Sequence, residues 1–480
     1  MPIKNVTKGK LTFLNLPKVK TLYPLIIEKV IEFLKKFKFF NKMMFARLND
    51  YFTPELQAMI NEPTTKVQDV LALPYIAQSA RVGFPRLIQF LSQHSEELLR
   101  IAFTDEKDKL SKTAYTILLM GDKDVLNPIL QNYSFRTVAT ELLIDPNVQP
   151  IMIGRLSSLT LACLRNLSDS SKDSFGFLFH LLPHCGNPSV FNFFESICGD
   201  DPIFQITQQM LNDMGFSIFV FREFEQFDVK YQSTEENVWK DPTYVRYLCL
   251  YKLITQCCEN PILCKDFRKP ELVELLSKDF ENSPDFIKSA KWAAISAATS
   301  SEIAVPLLKL IPEASDLLVE HFEKLKAYRV SALEFITKMM KLAPLTFDLL
   351  LKSSMPQMLI SVVFNFPNST ILHNAFINFV ATGLENAQFA LKIVSIYTPV
   401  IIDCAEEGVH RILLPCCMKM MTLFIAASKK DRQIVQAMQE APGFDNFVKK
   451  TMKNYMTIIQ TSYGDDGPTA LFKKMKTIFS

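Results

Sequence analysis

The chain has 480 residues, 48% hydrophobic and 21% charged, with a net charge of +3 and an isoelectric point near 8.2. So much apolar side chain excludes a disordered protein, and so small a positive balance gives no basis for a nucleic-acid binder, whose domains run to isoelectric points above about 9. Only 13 glycines occur, which removes glycine-rich phosphate loops and tight hairpins and favours helices.

In chain order, residues 1–23 are Lys-rich and interrupted by Pro2, Gly9 and Pro17, the composition of a loose basic arm. Capping helices are expected over 24–65. From Pro24 to Phe45, Leu25, Ile26, Val30, Phe33, Leu34 and Phe37 form an apolar face opposite Lys29, Lys35, Lys36 and Lys38. Such a basic amphipathic helix suits a membrane surface, but covering the open end of a helical solenoid is the favoured reading. Short helices are then expected after the cap-like residues of Thr53-Pro54-Glu55 and Thr65-Lys66-Val67, and from Pro85, while Asp105 to Lys109 alternates in sign as a solvated loop or helix start.

The stretch from Asn147 to Cys198 is expected to hold three consecutive helices. The first carries Gly154, Ser157, Ser158 and Ala162 at one-turn spacing, letting a neighbouring backbone come close. The second runs from about Ser174 to Leu182, and a turn over Pro183 to Gly186 leads to a third, with Asn187 as N-cap and Pro188 at its first position. Ile203 to Phe227 is aromatic and predicts core, whereas Asp228 to Asp241 is the most polar interior stretch and predicts a surface loop. From Tyr244 onward helices alternate with breaks at Pro261, Pro270, Pro284, Pro312, Pro344, Pro356 and Pro367, the rhythm of an irregular armadillo- or HEAT-like solenoid with no fixed-period signature. The fold class expected is an all-α superhelix, with the helical-repeat domain over 66–450 and a C-terminal helical cap over 451–480.

Catalytic chemistry is not visible. The six histidines are scattered; His180 and His184 stand four apart, but Pro183 between them argues for a helix end rather than a two-ligand metal face. No nucleophile elbow, phosphate loop or kinase-type set occurs, and Glu235-Glu236 and Glu406-Glu407 are adjacent pairs whose side chains diverge. The ten cysteines include Cys257-Cys258 and Cys416-Cys417 but no C-x-x-C, so buried thiols in a reducing compartment are expected. No cofactor is expected. Phe389 to Ala405 is broken by Lys392 and Pro399, and Ile412 to Ala427 by Pro415 and Lys419, so no transmembrane helix is expected.

Several segments together resemble the SAPS domain, found in regulatory subunits of phosphatase-6-type serine/threonine phosphatases. Val67 to Leu71 followed by Pro85 to Leu91 looks like the family's T-x-E-E-L-L-D…N-P-x-L-x-x-F-L. Gln149 to Ser157 is similar to N-P-x-L-A-x-Y-F-S, Leu182 to Asn187 to L-x-H-I-G-T-S-A, and Phe366 to Asn374 to Y-x-W-N-N-F-L-H. Gln436 to Val448 sits where an L-P-x-x-W-x-x-F-V sequence is common, while Gln68, Gln78 and Asn192 stand where acids are usual. The matches keep one order from about Lys66 to Lys450.

The resemblance implies a non-catalytic regulatory or scaffolding subunit that binds a phosphatase catalytic subunit, with ankyrin-repeat or other adaptor subunits as further partners. It implies partner contacts at His184, Gly186, Asn187 and Asn192 and at Asn368, Leu372 and His373. A plainer reading has Gly186 ending a helix in the left-handed conformation while each histidine packs locally. The expected setting is the cytoplasm, with the nucleus a second location, and without nucleic acid or integral membrane association. The alternative is a general armadillo-like adaptor in transport or tethering, with no phosphatase link.

Overall fold

A computed structural model describes residues 52–105, 107–165, 169–407 and 412–462. The arm over 1–23, the amphipathic helix from Pro24 to Phe45, His410 and the end of the C-terminal cap lie outside the described residues. Within them the fold is all-α, without a strand. The chain divides into two compact units, 1–138 and 139–480.

The first unit contains α1 (Pro54–Asn61), α2 (Val67–Ala72), α3 (Ile76–Val82), α4 (Pro85–Gln93), α5 (Ser95–Ala102), α6 (Lys109–Leu119) and α7 (Lys123–Gln131). Its helices start where cap chemistry dictates: Thr53 accepts from the Leu56 amide ahead of Pro54, and Asp108 accepts from the Leu110 and Ser111 amides. Asp108 of the charge cluster is therefore a helix N-cap. A pairing of α5 with α6 and of α4 with α7 buries Leu87, Leu91, Leu98, Leu99 and Leu118.

Helix α8 (Ser134–Ile144) carries the chain into the second unit. There follow α9 (Pro150–Leu164), α10 (Pro188–Ile197), α11 (Gln205–Asp213), α12 (Phe216–Glu225), α13 (Pro242–Glu259), α14 (Pro270–Leu276), α15 (Asp285–Ala298) and α16 (Ile311–Val319). The unit ends with α17 (Ala327–Leu342), α18 (Leu345–Lys352), α19 (Met355–Asn365), α20 (Thr370–Gly383), α21 (Ala387–Glu407), α22 (Leu414–Ser428), α23 (Arg432–Gln439) and α24 (Lys453–Ser462). One row of stacked helices runs α10, α13, α15, α17, α20 and α22, each packing on the next. A second row, including α12, α14, α16, α19 and α21, lies against it. This is the two-layered arrangement of a helical solenoid.

The first row has a regular period. Helices α13, α15, α17, α20 and α22 begin 43, 42, 43 and 44 residues apart, within the 40–47 range of HEAT and armadillo repeats. Each is sandwiched, so its apolar residues occupy most of its circumference: α15 buries Ile287, Ala290, Trp292, Ala294, Ile295, Ala297 and Ala298. Side chains fix the register by donating to carbonyls one repeat earlier. Lys338 reaches the Ser296 carbonyl at 2.7 Å, Lys392 the Leu351 carbonyl at 2.7 Å, and Tyr397 the Pro356 carbonyl at 2.6 Å.

Three expectations change. The stretch expected as an α-helix over Ser174 to Leu182 is two 3-10 segments, Asp169–Phe175 and Leu178–His184. Phe175, Leu178 and Leu181 are three apart and all buried, the spacing that aligns one face of a 3-10 helix. Lys392 and Pro399 do not interrupt α21, whose window Ala387–Ala405 is long and apolar enough to cross a membrane. Half of that window is buried inside the unit, with Phe389, Ile393, Val394, Tyr397 and Ile401 in the core. Pro399 is tolerated because the carbonyl it leaves without a partner belongs to the exposed Ser395. Finally, Gly186 is absent from the four described glycines with positive φ, so it does not end a helix in the left-handed conformation.

The aromatic segment is core as expected: Phe204, Phe216, Phe224 and Phe227 are buried, and Phe219 stacks on Phe179 at 4.2 Å. Tyr251 is fully buried beside Phe224, and its hydroxyl has no hydrogen-bond partner among the described residues. Burial pushes the phenol far above its ordinary pKa. An unpaired buried hydroxyl costs about 1–3 kcal/mol. Tyr251→Phe is therefore expected to hold or raise stability by about 1 kcal/mol, and a lowered urea midpoint would refute the unpaired state.

Candidate interaction surface at the interrupted repeat

The even spacing fails once in the row. Helix α13 begins 54 residues after α10, and the excess goes into the polar segment 226–241. In repeat proteins, insertions of this kind form loops on one face, often the one that binds.

Asp241 fastens this segment. It is the N-cap of α13, its Oδ1 accepting the Thr243 and Tyr244 amides at 2.9 and 3.0 Å. Its Oδ2 accepts the Tyr231 and Ser233 hydroxyls at 2.7 and 2.5 Å. Burial opposes ionisation of this carboxyl, but the four hydrogen bonds outweigh it and hold the group below the usual aspartate range. Phe227 stacks on Phe280 at 4.3 Å, and the Val229 carbonyl accepts the Glu281 amide, so both ends of the loop are tied down.

Beneath the loop lies a depression of about 520 Å³, walled by Pro150 and Ile153 of α9, the His184–Asn187 turn, Asp228, Tyr231 and the first turns of α13. Three of the residues implied by the sequence meet here. The Asn187 side chain accepts the Ser189 amide at 3.0 Å and donates to the Pro150 carbonyl at 2.7 Å. It thus caps α10 and joins it to α9, where Gly154 lets Ser189 approach to 3.3 Å of a would-be Cβ. The small-residue stripe has the close neighbour it requires. At Gly186 a Cβ would lie 3.6 Å from the Arg246 nitrogen, ordinary contact that does not demand glycine.

His184 is half-buried, and burial first, then the Arg246 charge, lower its pKa, so it is neutral at pH 7. Arg246 pairs with Glu223 of α12, and its Nε has no partner among the described residues. Cys185 beside it is buried, its thiol pKa raised first by that burial, so it is no nucleophile. The depression therefore presents a neutral imidazole, a guanidinium and the carboxylate of Asp228: hydrogen-bonding groups for recognition, without a base–nucleophile pair. Among the described residues no three of His, Cys, Asp or Glu are placed to hold a metal.

The other implied residues do not join this set. Asn192 is exposed further along α10. Asn368 is exposed in the turn before α20, but Leu372 is fully buried and His373 is 8% exposed, its Nε2 3.2 Å from the Phe366 carbonyl. Burial lowers the pKa of His373. Leu372 and His373 thus point into the unit, where they hold a turn and offer no side chain to a partner. Three helices of the row, α13, α15 and α17, separate this turn from α10. Arg246, Glu223 and Asp241 were missed in the sequence, although Asp241-Pro242-Thr243 is a legible helix start.

No family model matches the chain, and no curated protein matches it.

Proposed function

We propose that the chain is a non-catalytic, helical-repeat scaffold whose surface around His184 and Arg246 binds a protein partner. The observation that carries this reading is the single interruption of the repeat, which gathers a guanidinium, a half-buried imidazole and an anchored polar loop around one depression. We further propose, from the ordered resemblance to the SAPS domain, that the partner is a phosphatase-6-type catalytic subunit which the chain regulates or targets, alone or with an adaptor subunit. The ten cysteines, none of them in a disulfide, fit a cytoplasmic setting.

Size-exclusion chromatography of the purified chain with that catalytic subunit is expected to give a one-to-one complex at micromolar or tighter affinity, about −8 kcal/mol. Arg246→Glu should weaken it at least tenfold. No complex at high micromolar concentration would remove the phosphatase assignment. The competing reading, a general adaptor without a phosphatase, is favoured by the inward placement of Leu372 and His373 and by the full engagement of Asn187 within the fold.

A further inference from the structure

A second depression, about 760 Å³, opens beside the interruption, between α10, α13, α15 and Trp239. Trp239 is 61% exposed, although an indole is among the costliest side chains to leave in water. One of its faces is stacked on Phe286 at 4.0 Å and 21°. Phe191 forms a second aromatic wall, with the Lys252 ammonium 5.7 Å from its ring centre. Three carboxylates, Glu195, Asp200 and Glu259, share the lining with Lys252 as the one cation. None of the three makes a close ion pair among the described residues, although Glu259 lies within the field of Lys338 outside the lining. The local balance is thus −2 in a chain whose total is +3.

We propose that this depression binds an extended, Arg- or Lys-bearing segment of a partner protein. Exposed carboxylates around an aromatic platform recognise that chemistry twice over: the charges attract cationic side chains and set their register, and the free indole face takes a guanidinium or a methylene stem. The wall positions on α13 are Leu248, Lys252, Thr255, Gln256 and Glu259, one helical face more than two turns long, which suits a segment lying along the helix. The Gln256 side chain is already committed to the Glu195 carbonyl at 2.7 Å, so the floor is held in place before anything binds. This site is independent of the phosphatase assignment.

The chain has two tryptophans, and Trp292 is fully buried, so a change in indole emission on titration reports on Trp239. The full chain is titrated with a short peptide in which arginines alternate with leucines, and with the same peptide carrying glutamates instead. Saturable binding of the arginine peptide alone is expected, weakening as salt rises. Trp239→Ala, followed by a labelled peptide, and Glu259→Lys should each lose about tenfold or more in affinity while keeping the wild-type melting temperature. Equal binding of both peptides, or affinity for the arginine peptide unchanged in both variants, would overturn the proposal. So would no saturation at high micromolar peptide.

Discussion

Lys291→Ala is expected to lower the stability of the second unit by about 3 kcal/mol, whereas Lys291→Met should stay within about 1 kcal/mol of wild type. Lys291 lies in the middle of α15, and its side chain is completely buried. Its ammonium is 3.2 Å from Asp279, in the loop before α15, and 3.2 Å from Glu313, in the first turn of α16. One side chain therefore joins three segments. The two carboxylates keep 29% and 43% of their side-chain surface in water, so each can be hydrated if the lysine is removed, and each pair contributes little by itself. The larger quantity is the stem: alanine deletes three buried methylenes at about 0.8 kcal/mol apiece and leaves a cavity beneath Trp292. Methionine refills that space without a buried charge. Urea unfolding with an unchanged slope and a shifted midpoint would measure both variants. Equal losses for alanine and methionine would mean that the ion pairs, not the packed stem, hold this junction.

Asp241→Ala should cost about 2 kcal/mol, most of it the lost helix cap, since water can reach the hydroxyls of the half-buried Tyr231 and Ser233. Asp241→Asn keeps the cap and should cost about 1 kcal/mol. The wild-type advantage over asparagine is also tied to pH. The folded carboxyl titrates below its unfolded value of about 3.9, so its contribution is complete above that value and disappears as pH falls through the lowered folded pKa. Stability curves of the two proteins should therefore run parallel from neutral pH down to about 5 and converge in stronger acid. Parallel curves down to the lowest accessible pH would show that the charge on Asp241 is immaterial. Since Trp239 lies two residues before this cap, the alanine variant should also shift its emission.

Helix content and many helix starts were legible because they depend on adjacent residues: Asn187-Pro188 and Thr53-Pro54 each combine a cap with a proline that needs no amide partner. The aromatic core over Ile203 to Phe227 and the polar loop after it were legible from composition. The 43-residue repeat was not. Its register depends on bonds to backbone carbonyls, which any donor can make, and here lysine serves at 338 and 392 and tyrosine at 397. Such bonds hold one repeat on the previous one without calling for a shared residue type. The 3-10 segments were hidden because apolar residues three apart satisfy a period of 3.0 nearly as well as 3.6 over so short a run. At the candidate surface, the sequence marked His184 and Asn187 but not Arg246, which α13 brings to them from about 60 residues away and which no local pattern announces.

Both depressions use α13 as a wall, one through Thr243, Arg246 and Tyr247 and the other through Leu248, Lys252, Thr255 and Glu259. A helix with its side chains is about 10–12 Å across. A ligand seated in either is therefore within a few residues' reach of the other, and a single protein carrying two short segments can engage them together. The second engagement would then occur at an effective concentration set by the linker, in the millimolar range for a short flexible one, so that two weak contacts give one durable complex.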